Sequence, residues 1–163
     1  MLIHQFKDAM SHVAGTVAVL TTLHSGRPFG LAATSVTSVS VDPPTLLVCV
    51  SKTASAHDRI ALSGRFAANI LRHDDVAQVL PFASHDAAAE RFASADWEID
   101  SLHPPILKTA LASLTCDVRK HVDYHSHTVF FGEVTQIALK HELGSPLLYV
   151  RRQYAACREL ESI

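Results

Sequence analysis

Between Gly30 and Pro44 the chain reads Gly-Leu-Ala-Ala-Thr-Ser-Val-Thr-Ser-Val-Ser-Val-Asp-Pro-Pro, an extended run of small and hydroxyl-bearing side chains that stops at a double proline. This mixture suits a flat redox heterocycle of the flavin kind. Such a ring needs a thin apolar floor, while its carbonyls, ring nitrogens and phosphate need hydroxyls and backbone N–H groups that permit close approach. A second cluster, Ser51-Lys52-Thr53-Ala54-Ser55, sets small hydroxyl residues and one cation just ahead of a predicted helix. Unpaired N–H groups at that place, with a lysine beside them, can receive a phosphate. Thr53 is at the same time a candidate helix cap, with Ser55 in the first turn.

The elements that must hold these segments are mostly strands. Phe6, Ala9 and Met10 lie near helical spacing in an opening helix that closes over 8–12 and stops at Gly15. Residues 16–22 are rich in β-branched side chains, Ser25-Gly26 makes a turn, and a second strand starts at Pro28, which together predict a hairpin. Residues 45–50 form a nearly all-apolar strand of the kind covered on both faces. The pattern then predicts a helix over 53–62 ended by Ser63-Gly64, a strand over 65–71, a helix over 74–83, and a polar loop or short helix over 84–95 that carries Arg91-Phe92. Extended structure resumes at 97–99. The last third holds two long strands, 114–121 and 128–139, joined around 123–127, then 146–150 and a closing segment over 152–160. Many strands with helices inserted, without strict alternation, predict a mainly β fold: a closed or nearly closed, Greek-key-like antiparallel barrel.

With 163 residues the chain is read as a single domain over 1–163, large enough to bury roughly 70% of its unfolded surface. A hydrophobic fraction of 48% against 18% charged residues leaves apolar surface to spare, as an interface between two copies requires. The net charge is −2 and the basic residues are scattered, which argues against nucleic acid as a partner. No apolar run approaches the ~20 residues needed to span a bilayer and the N-terminus lacks a signal-peptide layout, so the protein is expected in the cytoplasm with no membrane partner. Three cysteines, Cys49, Cys116 and Cys157, show no C-x-x-C spacing and are expected as buried free thiols. Among eleven histidines, His125 and His127 share one face of a possible strand, but no cysteine or carboxylate cluster accompanies them and no metal is expected.

Taken in order, 15–22, the 30–44 run, Phe66-Ala-Ala-Asn-Ile-Leu71, Phe82-Ala83, Arg91-Phe92, Trp97, Gly132-Glu-Val134 and Pro146-Leu-Leu-Tyr149 resemble the short-chain flavin reductases of two-component monooxygenases over nearly the whole chain. The resemblance implies an FMN-binding split β-barrel, a homodimer, and hydride transfer from NADH or NADPH to FMN or FAD, with the reduced flavin passed to a partner oxygenase. It implies that Ala33, Thr34, Ser35, Val36, Thr37 and Ser38 line the isoalloxazine and ribityl chain. Ser51, Lys52, Thr53 and Ser55 would take the phosphate, and Phe82, Ala83 and Phe92 would wall the flavin. Arg91 would meet a phosphate or the nucleotide. The family's Gly-Asp-His triplet reads His125-Ser126-His127 here, keeping at His127 the histidine that stands near the nicotinamide. Hydride transfer asks the protein for placement, not for a nucleophile. Two other outcomes stay open at this point: a bound flavin that reduces another acceptor, such as a cobalt corrinoid or a ferric complex, and a barrel that stores flavin without catalysis.

Overall fold

The computed structural model describes residues 1–84, 87–140 and 144–158. It is mainly β. Leu2, Ile3, Phe6 and Met10 recur at helical spacing along α1 (Leu2–Ser11), and all four remain exposed. Then come β1 (Gly15–Thr16), β2 (Ala18–His24), β3 (Arg27–Ala33), β4 (Thr37–Val41) and β5 (Pro44–Ser51). The middle of the chain supplies α2 (His57–Ser63), β6 (Arg65–Ile70), α3 (Val76–Ala83), β7 (Trp97–Glu98) and β8 (Ile106–Leu107). The last part is β9 (Ala112–Tyr124), β10 (His127–Leu139), β11 (Leu147–Val150) and β12 (Gln153–Ala156).

Seven strands pair in the order β3-β2-β6-β9-β10-β5-β4, each pair antiparallel. Laid flat, such a sheet would hold its two edges roughly 29 Å apart at about 4.8 Å per neighbour. Yet its edges are β3 and β4, and only residues 34–36 separate them in the chain, a reach of at most ~15 Å. The sheet must therefore roll round, with the 34–36 bend crossing its seam. This is the split barrel that the resemblance implied. Leu20, Val48, Val50, Phe66, Cys116 and Phe130 fill one core, joined by Ala56 and Ile60 from the start of α2. Val17, Val19, Val79, Phe82, Trp97 and Leu107 build a second core under α3. β2 sends Leu20 to the first core and Val19 to the second, which is the two-residue period of a strand buried on both faces. Burying each Leu or Phe contributes about 1.5–3 kcal/mol.

Several boundaries differ from the expected ones, each for a local reason. The strand expected over 16–22 breaks at Val17, whose N–H and C=O turn aside to Leu147 and Leu71. The helix expected from Thr53 starts at His57, because residues 51–57 first make tight turns, with Ala54 N–H donating to Ser51 and His57 N–H to Ala54. Thr53 is accordingly no cap; Ala56 stands there without a side-chain bond. The hairpin after β9 turns on His125-Ser126 alone, so both strands run longer than expected. Of the loop expected over 84–95, His85 and Asp86 lie outside the described residues, and 88–90 is a single 3-10 turn. The closing segment forms β12 against β11, and its end beyond Arg158 lies outside the described residues. Among the cysteines only Cys116 is fully buried: burial, then the nearby Asp117 charge, pushes its thiol up to about 12. Cys49 is half-buried and Cys157 exposed. No described helix is long and apolar enough to cross a membrane.

Candidate flavin site

The seam of the barrel builds the floor. After Ala33 the chain bends, and Ser35 fixes the bend by donating its hydroxyl to the Cys49 carbonyl (3.0 Å) while accepting the Cys49 N–H (3.1 Å). Gly15 lies so close behind that a Cβ there would stand 2.8 Å from Thr34 Cβ, so only glycine lets the bend sit where it does. Ala33, Thr34 and Ala83 then line a cavity of about 270 Å³ together with Val17, Tyr149 and Tyr154. It adjoins a recess of about 550 Å³ that shares Thr34 and Tyr149 and adds Phe6, Met10, Ser35 and Arg152. Small side chains thus face an open slot, and the Thr34 hydroxyl has no partner among the described residues. The rest of the predicted floor goes elsewhere. Val36 packs on the barrel core, Thr37 is exposed, and Val36 and Ser38 line a separate groove with Val41 and Ile137.

Tyr149 and Tyr154 are cavity residues that the sequence reading did not select. They are direct partners across the β11–β12 hairpin, with rings 5.4 Å apart, and burial followed by the Tyr149 neighbour raises the Tyr154 pKa. The signal was available: in a hairpin with a two-residue turn, residues five apart flanking that turn face the same side.

The cationic turn is linked to the Ala83 side of this slot through Arg91. Ser51 and Thr53 hydroxyls meet at 3.0 Å, and the Lys52 N–H is held by the Ser126 carbonyl at 2.9 Å. Lys52 Nζ stands 3.2 Å from Asp123. Arg91 joins turn to slot. Its Nε donates to the Pro81 carbonyl (2.9 Å), Nη1 to Ser55 Oγ (2.9 Å) and the Gly30 carbonyl (3.3 Å), and Nη2 to the Ser84 carbonyl (2.8 Å). Burial lowers its pKa, but the guanidinium stays charged at neutral pH. One Nη2 hydrogen is left over among the described residues. Arg91 is therefore a half-buried clamp, not the solvated charge its sequence neighbourhood would suggest.

Phe82 and Phe92 support this clamp from behind. With Trp97 they form a three-ring cluster, centroids 5.0–5.4 Å apart, and Arg91 lies 5.9 Å over the Phe82 ring. Phe92 is held at φ +63, a conformation costing a bulky residue on the order of 1 kcal/mol or more, and ring packing keeps it there. Phe82 is only 5% exposed, so it backs the wall of the slot and presents little surface to it. A Cβ on Gly30 would come within 2.7 Å of Phe82.

His127 opens β10 as an exposed residue, paired with Ser51 on one side and Tyr124 on the other. It stands on the rim next to the cationic turn, with Nδ1 2.9 Å from the Ser126 hydroxyl, and does not line the cavity of Ala33 and Ala83. Among the described residues no three His, Cys, Asp or Glu side chains gather as metal ligands.

A comparison with family models matches residues 10–158 to the flavin reductase like domain. The chain belongs to the flavin reductase family. It is 36% identical over 150 residues to the FMN reductase (NADH) RutF of Pseudomonas syringae pv. syringae, covering 91% of this chain and 83% of the relative. It is 32% identical over 152 residues to the 4-hydroxyphenylacetate 3-monooxygenase reductase component of Escherichia coli, covering 92% and 89%. Among solved structures, Streptomyces globisporus C-1027 NADH:FAD oxidoreductase SgcE6, in complex with NAD and FAD fragments, superposes with a TM-score of 0.85 at 28% identity, covering 98% of this chain and 93% of that one. This flavin reductase thus shares its fold along almost the whole chain with enzymes that pair a nicotinamide donor with a flavin.

Proposed function

We propose that the chain is an NAD(P)H:flavin oxidoreductase that reduces FMN or FAD with hydride from NADH or NADPH and supplies the reduced flavin to a partner monooxygenase. The observation that carries this is the Arg91 clamp, which joins a slot floored by Ala33, Thr34 and Ala83 to a lysine-bearing turn. The residues fit a flavin nucleotide on chemistry as well as shape. Ala33 and Ala83 leave room for a planar ring, and Thr34 offers a free hydroxyl to the ring edge. Lys52, Ser51, Thr53 and Ser55 gather charge and hydroxyls where a phosphate would rest. A bound flavin supplies the electron sink, accepting the hydride at its ring. The chain's part is to orient: the slot fixes one face of the ring, and His127 on the rim takes the nicotinamide side. RutF and the 4-hydroxyphenylacetate 3-monooxygenase reductase component support this reading by their names.

The test follows NADH and NADPH oxidation with FMN, FAD and riboflavin. Lys52→Ala is expected to raise KM for FMN roughly tenfold, the worth of one charge-assisted bond, and to leave KM for riboflavin unchanged. Absence of nicotinamide oxidation with all three flavins would sink the proposal.

The reductase is further read as a homodimer. Leu2, Ile3, Phe6 and Met10 of α1 are exposed, as are Val41, Ile137 and Leu139 at the β4 and β10 ends, apolar side chains that a second copy would cover. Light scattering is expected to give the mass of two 17.7 kDa chains, and a monomer at micromolar concentration would overturn this.

A further inference from the structure

The cationic turn carries a carboxylate of its own, anchored from inside the protein. Asp123 Oδ2 faces Lys52 Nζ at 3.2 Å, while Oδ1 accepts the Thr128 hydroxyl at 2.6 Å. Thr128 is 1% exposed and sits directly across the ladder from Asp123. A threonine hydroxyl has one hydrogen, and here it goes to Asp123, so the Thr128 oxygen accepts from His57 Nε2 at 2.7 Å. His57 is fixed in turn, edge-on to Phe130 at 5.7 Å and with Nδ1 2.7 Å from Asp58. His57 and Thr128, donating in turn toward the Asp123 carboxylate, thus hold it against the one lysine of the turn. The Thr128 hydroxyl first, then Lys52, keep the Asp123 carboxyl below its usual range, so it is an anion whenever a phosphate arrives.

We propose that Asp123 is an affinity-setting residue that competes with the flavin phosphate for Lys52 and so keeps the nucleotide easy to release. This rests on the assignment of residues 51–55 as the phosphate seat. An anchored anion neutralises Lys52 when the seat is empty. It must then share or yield the lysine to an arriving dianion and repels that dianion at close range. Neutral riboflavin feels neither effect. A weakened hold on the tail suits a flavin that has to leave for a second protein after reduction. Thr128 and His57 act through Asp123, as positioning residues.

The test measures Kd for FMN and for riboflavin by flavin fluorescence quenching on the full chain and its variants. Asp123→Asn is expected to bind FMN roughly fivefold tighter, the effect of removing one charge a few ångströms away in a watery setting. Riboflavin affinity should stay within about twofold, since no ion pair is involved. Asp123→Glu, which restores the charge, should return FMN affinity toward the parent value, and Asp123→Ser serves if the Asn variant does not accumulate. Equal or weaker FMN binding by Asp123→Asn overturns the competition, even where Lys52→Ala still erases the preference for FMN over riboflavin. If Lys52→Ala leaves that preference intact, the phosphate seat itself is misplaced and the role of Asp123 falls with it.

Discussion

Replacing Arg91 by alanine is expected to cost most of the flavin affinity and to loosen the fold at once, and lysine at the same place should rescue little of either. The guanidinium bridges four acceptors, the carbonyls of Gly30, Pro81 and Ser84 and the hydroxyl of Ser55, on three stretches of chain: β3, the 51–55 turn and the end of α3. Its planar fork reaches all four at once, whereas an ammonium offers three donors from one point. Losing it leaves the half-buried Gly30 and Pro81 carbonyls unpaired at about 1–2 kcal/mol each, for a total near 2–4 kcal/mol. For a domain of this size that is a fall of roughly 5–15 °C in Tm. Binding should suffer more. Ala83 lines the slot and Ser55 belongs to the turn proposed to seat the phosphate, and Arg91 ties the two together, so FMN Kd is expected to rise by about 30-fold or more, as misplacement of a site commonly costs. Thermal melting and fluorescence titration read the two effects separately. A variant that melts lower yet binds FMN like the parent would show that the clamp supports the fold without shaping the site.

How far the sequence alone reaches can be judged from these residues. The hairpin at Ser25-Gly26 and the long β9–β10 pair are local patterns, visible because alternation and turn chemistry act over a few residues, whereas the two-faced cover expected of 45–50 falls on β2, and β5 alternates buried with half-buried residues. The small and hydroxyl-bearing run over 30–44 is visible for the same reason, although it reads as extended throughout and the chain in fact bends at 34–36. Arg91 was placed at the site by resemblance, but its clamp was not legible, because its partners are backbone carbonyls up to 61 residues away that no side-chain pattern encodes. The late start of α2 escaped because Ser51, Thr53 and Ser55 all favour caps and turns, and tertiary contacts, the Ser126 carbonyl on Lys52 above all, decided between them. The division of the 33–38 run between slot and outer groove depends on how the barrel seam closes. Periodicity does not contain that information.

Asn69 offers the largest expected loss of stability from a single atom group. It is 0% exposed near the end of β6, and its amide works in both directions. Nδ2 donates to the Val19 carbonyl (3.0 Å) and Thr21 Oγ1 (3.3 Å), and Oδ1 accepts the Leu107 N–H (2.9 Å) and the Ser113 hydroxyl (2.8 Å). Thr21 passes its own proton to the Pro105 carbonyl at 2.6 Å, so this one residue ties the 105–107 segment to the barrel. In Asn69→Ala the Leu107 N–H and Ser113 hydroxyl lose their acceptor where water does not reach, which together with lost packing should cost about 3–5 kcal/mol. Melting should fall by roughly 6–20 °C. Asn69→Asp separates charge from shape. It keeps the acceptor toward Leu107 and Ser113 but aims a second oxygen at the Val19 carbonyl, so burial must raise its pKa above the ordinary value near ~3.9. A raised folded-state pKa gives stability that is fullest below the unfolded value and fades as pH climbs through the folded one. Asn69→Asp should therefore approach the parent in relative stability at acid pH and fall behind it toward neutrality, whereas the alanine deficit stays level. A flat difference for the aspartate variant would mean that solvent reaches the site. The effect should extend to flavin: Leu107 pairs with Trp97, whose ring braces Phe82 and Phe92 beneath Arg91, so loosening β8 frees the clamp from behind.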